Sequence, residues 1–317
     1  MPHPVSWGGP CLRNRQLNKS KHRLTTLIAS SVVRGSHQGQ SSGGVYLIDL
    51  ESGQSRQTID WNSPDIDWQG RGWDRGLRGI AFDGNLVYIA ASDELFVYTP
   101  DFQRVASYRN PFLKHCHEIC IWERRLFLTS TGFDSVLGFD LDQRRFSWGL
   151  FIERYGTSFR ARPFNPDGTA GPGANNQLHI NNVYCSAEGM YISGMRTGAL
   201  LHFNGRTIAP RATLPHGTHN ARPYRDGILF NDTQADVVRF VSPIEDRFFP
   251  VPRHDPAELT HTEMGDERVA RQAFGRGLCM LGDGIIAAGS SPSTIAVHDL
   301  NQHQTTLTIN LTKDIRN

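Results

Sequence analysis

Residues 117–150 read HEICIWERRLFLTSTGFDSVLGFDLDQRRFSWGL, and this stretch decides the fold. Its apolar residues come in short runs or alternate with polar ones. They divide it into four segments, Glu118–Trp122, Arg125–Ser130, Ser135–Leu141 and Arg144–Leu150, with tight polar turns between them. Runs of this length, bounded by Gly, Asp, Asn and Ser, carry the strand signature; helical periodicity is nearly absent along the chain.

The same layout recurs. NNVYCSAEGMYISGMRTGALLHFNGRTI from Asn181, HNARPYRDGILFNDTQADVVRFV from His219 and RGLCMLGDGIIAAGSSPSTIAVHDL from Arg276 align with the template without internal gaps. RGIAFDGNLVYIAASDELFVYTPD from Arg78 is a copy with its middle turn trimmed. LIASSVVRGSHQGQSSGGVYLIDLESGQ, residues 27–54, is a sixth, partial copy, which reads as a second and third strand without a first. About six units of four antiparallel strands predict an all-β, six-bladed propeller in a single domain over residues 1–317. No such blade buries both faces alone, and closing the ring protects the end sheets. The missing inner strand of the first blade is expected from a terminus. The tail LTKDIRN, residues 311–317, arrives there, and residues 1–24 are read as an extension that is the other candidate for this closure.

Composition narrows the function classes. The 317 residues carry 33 Lys and Arg against 31 Asp and Glu, a net charge of +2, so the positive field of a nucleic-acid binder is missing. No apolar stretch is long enough for a membrane-spanning helix. Nucleic acid and membrane are therefore not expected partners. Five cysteines, an odd and sparse set, argue against a disulfide scaffold. The first 23 residues lack an apolar signal core, so a cytoplasmic location is the expectation. The cluster HCHEIC, residues 115–120, suggests a metal site at first sight. Strand alternation separates His115 and His117 from Cys116, Glu118 and Cys120, so one ion is not expected to take them all. The cysteines read as small buried hydrophobes. P-loop and HExxH spellings are absent, and no hydrolase elbow is expected.

The blade registry points to the chemistry. Arg78, His117, Asn181, His219 and Arg276 fall at one repeat position, spaced 39, 64, 38 and 57 residues apart. That position opens the inner strand, at the tunnel mouth. Three readings stand side by side. His117, His179 and His219, with His115 or Glu118 as a further candidate, are expected as ligands of a divalent transition metal such as Fe, Zn or Cu. Alternatively, Arg78, Arg276 and the histidines, with Arg75 just upstream, make a positive mouth for an oxyanion. In the third, the polar side chains plug the tunnel, bonded to carbonyls and water. Three long connections lie on the same face: residues 60–77 with Trp61, Trp68 and Trp73, the Gly- and Pro-rich loop 154–177, and residues 253–273, partly helical around Asp266–Gln272. They are expected to roof the mouth, with Trp73 against the ligand or anchoring its own loop. The turns 130–135 and 289–294 are expected to bond backbone through their Ser, Thr and Asp side chains.

HINNV (179–183), LPHGTHNARPYRDGILFNDTQAD (214–236) and FGRGLCML (274–281) resemble an uncharacterised bacterial β-propeller family of unknown function. The resemblance covers roughly residues 75–300. It implies a propeller and no particular reaction, and it singles out His179, His216 and Arg276; either His216 or His219 then faces the axis. The layout is more distantly similar to six-bladed calcium-dependent lactonase-like and strictosidine-synthase-like propellers; the acidic calcium ligands expected of the lactonases are not evident here. Together these readings predict a protein that binds a small anionic or polar metabolite at the tunnel mouth. His117 and His219 serve as metal ligands or as general acid and base, Arg78 and Arg276 fix an oxyanion, and Asn181 positions the ligand. The reaction type, lyase, hydrolase or oxygenase, stays open. The alternative is a non-catalytic scaffold with a protein partner.

Overall fold

The computed structural model describes residues 25–36, 39–62, 76–263 and 271–317. Six antiparallel sheets follow one another along the chain, each with its strands in sequence order. The first holds β1 (Thr26–Val32), β2 (Gly43–Asp49) and β3 (Ser55–Asp60). The second holds β4 (Leu77–Asp83), β5 (Leu86–Ala91), β6 (Glu94–Tyr98) and β7 (Arg104–Arg109). The third holds β8 (Ile119–Trp122), β9 (Arg125–Ser130), β10 (Ser135–Asp140), β11 (Arg145–Tyr155) and β12 (Ser158–Phe164). The fourth holds β13 (Ile180–Ser186), β14 (Gly189–Gly194), β15 (Ala199–Phe203) and β16 (Ile208–Thr213). The fifth holds β17 (His219–Tyr224), β18 (Gly227–Asp232), β19 (Val237–Val241) and β20 (Asp246–Pro250). The sixth holds β21 (Phe274–Gly282), β22 (Ile285–Ser291), β23 (Thr294–Asp299) and β24 (Gln304–Asn310). The chain is a six-bladed β-propeller. No helix among the described residues is long and apolar enough to cross a membrane.

Burial explains the spelling of each strand. Middle strands are covered on both faces by neighbouring blades, so they read as near-continuous apolar runs; β14, GMYISG, is buried at every position. Outermost strands face water. β7, RVASYR, has no buried residue. Six apolar clusters fill the six seams between blades. The seam between blades 3 and 4 is thick, with Phe127, Trp148, Leu150, Met190 and Leu201 all buried. The seam between blades 6 and 1 is thinner: Ile48, Ala287, Ile295, Val297 and Ile309 are buried, while Leu27, Ala29, Cys279 and Leu311 are only half-buried.

The partial first blade is as expected: β1 ends at the mouth, where Ser30 Oγ donates to Arg78 O and Val32 lies beside Gly76, so it runs opposite to β4 and is a second strand. Blade 1 therefore lacks a first, inner strand among the described residues. Two expectations are corrected. The tail does not join that sheet. It lies across the mouth, where Arg316 O accepts from Arg34 N at 2.9 Å and Asn317 O accepts from Ser293 N at 3.0 Å. The ring closes here by packing. Secondly, part of the expected loop 154–177 is strand. β12 pairs with β11 from Tyr155↔Ser158 to Gly149↔Phe164 and makes blade 3 five-stranded. Trp68, Trp73, Arg75 and positions 266–270 of the expected helical turn lie outside the described residues, as do residues 1–24.

Candidate functional site

At the mouth of the tunnel is a cavity of about 300 Å³. Arg78, His117, Asn181, His219 and Arg276 all line it, although they come from five blades. Glu118, Asn220, Arg34 and Arg316 join them.

The backbone explains how consecutive residues reach one cavity. Strand pairing slips at the start of the inner strand in four blades: between Leu77 and Ile80, Ile180 and Asn182, His219 and Arg222, and Gly275 and Leu278. A bulge at each point re-aims a side chain that strict alternation would turn away. In blade 3 the ladder begins only at Ile119, so His117 and Glu118 precede it. Both amides donate to Thr129 Oγ1, at 3.0 and 3.1 Å. The alternation expected for HCHEIC therefore fails. His117 and Glu118 share the cavity, Cys116 packs in the core between blades 2 and 3, Cys120 packs against the next core, and His115 is exposed. Glycine allows the inner strands their close approach. A Cβ on Gly79 would stand 2.7 Å from Ile119 N and 2.9 Å from His117 O, and Gly79 N donates to that same carbonyl.

Turns of one blade hold the inner strand of the next. Asp134 accepts from the backbone amides of Gln177, Leu178 and His179 at 2.6, 3.0 and 2.9 Å. Thr131 Oγ1 donates to Ile180 O, and Ser135 Oγ to Phe133 O at 2.8 Å. The polar turn residues thus bond backbone, and much of that backbone belongs to the following blade.

Hydrogen bonds fix the histidine tautomers. His219 Nδ1 donates to Gly217 O at 2.9 Å, which leaves Nε2 as an acceptor. That Nε2 is buried and has no hydrogen-bond partner. His117 Nδ1 donates to His115 O at 2.8 Å and meets Thr131 Oγ1 at 2.9 Å. Burial first, then the charge of Arg78 and the neighbouring His179, hold His117 well below the usual imidazole range. Burial takes His219 down to about 4. Both rings are neutral at pH 7. Glu118 moves the other way. Burial pushes its carboxyl up to about 7, opposed by the hydrogen bond from Asn220 and by Arg222 and Arg78.

Asn220 ties three blades together. Its Nδ2 donates to Glu118 Oε1 at 2.8 Å, and its Oδ1 accepts from Asn231 Nδ2 at 2.9 Å and Gly277 N at 3.0 Å. Phe274 holds two cavity side chains. Its ring meets His219 edge-on at 5.4 Å and lies under the Arg276 guanidinium at 4.6 Å. Asn220 and Phe274 were not among the expected ligand residues. Adjacency to the registry positions was their only signal in the sequence.

His179 stands beside His117, ring centroids 5.5 Å apart and edge to face, with its Nδ1 3.0 Å from Asn176 Oδ1. Among the described residues no three His, Cys, Asp or Glu side chains form a group arranged to hold a metal ion. Between the two candidates for the axis, His219 lines the cavity and His216 is exposed. Trp61 is an anchor, 2% exposed and edge-on to Phe96 at 4.8 Å. The spelling GQSSG at 39–43 matches a hydrolase pattern, contrary to expectation. It joins two strands, however, and Ser41 Oγ bonds Asp60 at 2.6 Å; no strand-to-helix elbow exists there.

No protein-family model matches the chain, and no curated protein matches it. The chain is similar in fold to solved propellers. The computationally designed Ika8 protein is 11% identical over 90% of this chain and 92% of its own, with a TM-score of 0.45. Apo AztD from Citrobacter koseri is 10% identical over 91% and 83%, with a TM-score of 0.47. The C-terminal WD40 domain of Sif2 is 9% identical over 86% and 81%, with a TM-score of 0.48.

Proposed function

We propose that the tunnel mouth binds a small anionic metabolite that also carries a hydroxyl group. One observation carries this reading. Three buried polar atoms from three blades, Asn181 Oδ1, His219 Nε2 and Arg276 Nε, have no hydrogen-bond partner, and their side chains line the same cavity. Buried polar atoms are almost always satisfied, so such a set marks a place for a ligand. The chemistry of the atoms selects that ligand. Arg78 and Arg276 present guanidinium groups suited to a carboxylate or phosphate. His219 Nε2 and Asn181 Oδ1 are acceptors and require a donor, which a hydroxyl supplies. The histidines are neutral, so the arginines set the local charge, and Glu118 is a carboxyl that faces Arg78.

Calorimetric titration with acetate, glycolate, lactate and phosphate tests the reading. Saturable binding is expected, with glycolate ahead of acetate. Arg276→Gln loses about 10- to 100-fold in affinity, the size of one charge-assisted hydrogen bond. His219→Phe erases the preference for glycolate over acetate. Metal analysis belongs beside it. Stoichiometric zinc, iron or copper that disappears in both His117→Ala and His219→Ala replaces the anion reading with a metal centre. No saturable binding and no metal leaves the scaffold reading.

A further inference from the structure

The cavity is lopsided. The seams between blades 2 and 3, 3 and 4, and 4 and 5 contribute none of their core residues to it. The seam between blades 6 and 1 contributes Leu27, Ala29, Cys279, Ala287, Ile295 and Leu311. The arginines, histidines and asparagines therefore stand at one end of a space whose other end is apolar.

Sequence explains the gap. The second strands of blades 2, 3 and 5 are spelled LVYIAA, RLFLTS and GILFND, with bulky residues in the middle. β22 is IIAAGSS, and β1, whose edge borders the missing inner strand of blade 1, is TLIASSV. The missing inner strand and the small side chains on both strands leave the seam unfilled. An apolar space of this kind favours an apolar occupant.

We infer that the ligand is an amphipathic carboxylate, with its head on Arg78 and Arg276 and an aliphatic or aromatic tail in the seam between blades 6 and 1. This rests on the anion reading above and adds the class of ligand. The head is held by charge, and the tail is driven into the seam by loss of apolar contact with water.

The test is a chain-length series, acetate, butyrate, hexanoate and phenylacetate, titrated into the full chain. Affinity is expected to rise about fourfold per added methylene until the seam is full. Ala29→Phe, which fills the seam, returns hexanoate to the affinity of acetate and leaves acetate unchanged. Leu311→Ala, a milder change, flattens the series. Equal affinity along the series overturns the tail assignment while the anion reading stands, as does a series untouched by both seam variants. Failure of every carboxylate, acetate included, overturns both.

Discussion

The Glu118 carboxyl is the group at which burial and function pull against each other. Its folded value near 7 lies above the ordinary carboxylate value of 4.5. Between those values the unfolded chain is ionised at this group and the folded chain is protonated. Stability is therefore lost as pH rises from 4.5 to 7 and stays lost above. His219 has the opposite sign. Its folded value near 4 lies below the ordinary 6.5, so its contribution is present above 6.5 and is lost as pH falls toward 4. The two windows overlap and partly cancel in the wild type. Glu118→Gln removes one of them and keeps an oxygen for Asn220 to donate to. The variant is expected to be more stable than the wild type at pH 8, by about 1–3 kcal/mol, in urea unfolding, and equal to it at pH 4. A second readout tests the site itself. Ionised Glu118 faces Arg222 and Arg78 and competes with a bound anion for Arg78. Anion affinity is thus expected to weaken above pH 7 in the wild type and to stay level there in Glu118→Gln.

The inner strand is the element that makes the site, and its bulge is the feature that matters. Four blades place the slip in pairing at the same point, and Arg78, Asn181 and Arg276 each sit within it. Regular strands would turn alternate residues away from the axis. The repeat made the shared position legible; the slip that aims the side chains left no spelling of its own beyond glycines at 79 and 277. Gly277 takes φ +76, a conformation in which a Cβ is strained. The seams supply the rigidity behind the site. Phe127 is 1% exposed and meets Trp148 edge-on at 5.7 Å, in the thick core between blades 3 and 4. Phe127→Ala is expected to cost about 3–5 kcal/mol in equilibrium unfolding, the usual range for a fully buried aromatic.

The whole ring is uneven. Blade 1 has three strands among the described residues, and its seam with blade 6 is half-buried and runs into the cavity. Local opening follows buried apolar contact. Amide hydrogen exchange is expected to reach β1 and β22 before β9 and β14, and a carboxylate that binds the cavity is expected to slow exchange in β1 and β22 most. Uniform protection around the ring would contradict this account of closure.

By itself the sequence determined the blade. Short apolar runs, polar turns and a common register identify four-stranded units, their number, and the five positions that open their inner strands, because each blade folds from contiguous residues whose pattern is local. The tertiary structure alone decided that the tail crosses the mouth and does not join blade 1. It also decided that 158–164 adds a fifth strand to blade 3, that His219 and not His216 faces the cavity, and that one seam stays open. Each of these depends on which distant surfaces meet, and on the space that small side chains on two strands leave between them. The small residues of the two strands can be read in the sequence; that they border one open space cannot.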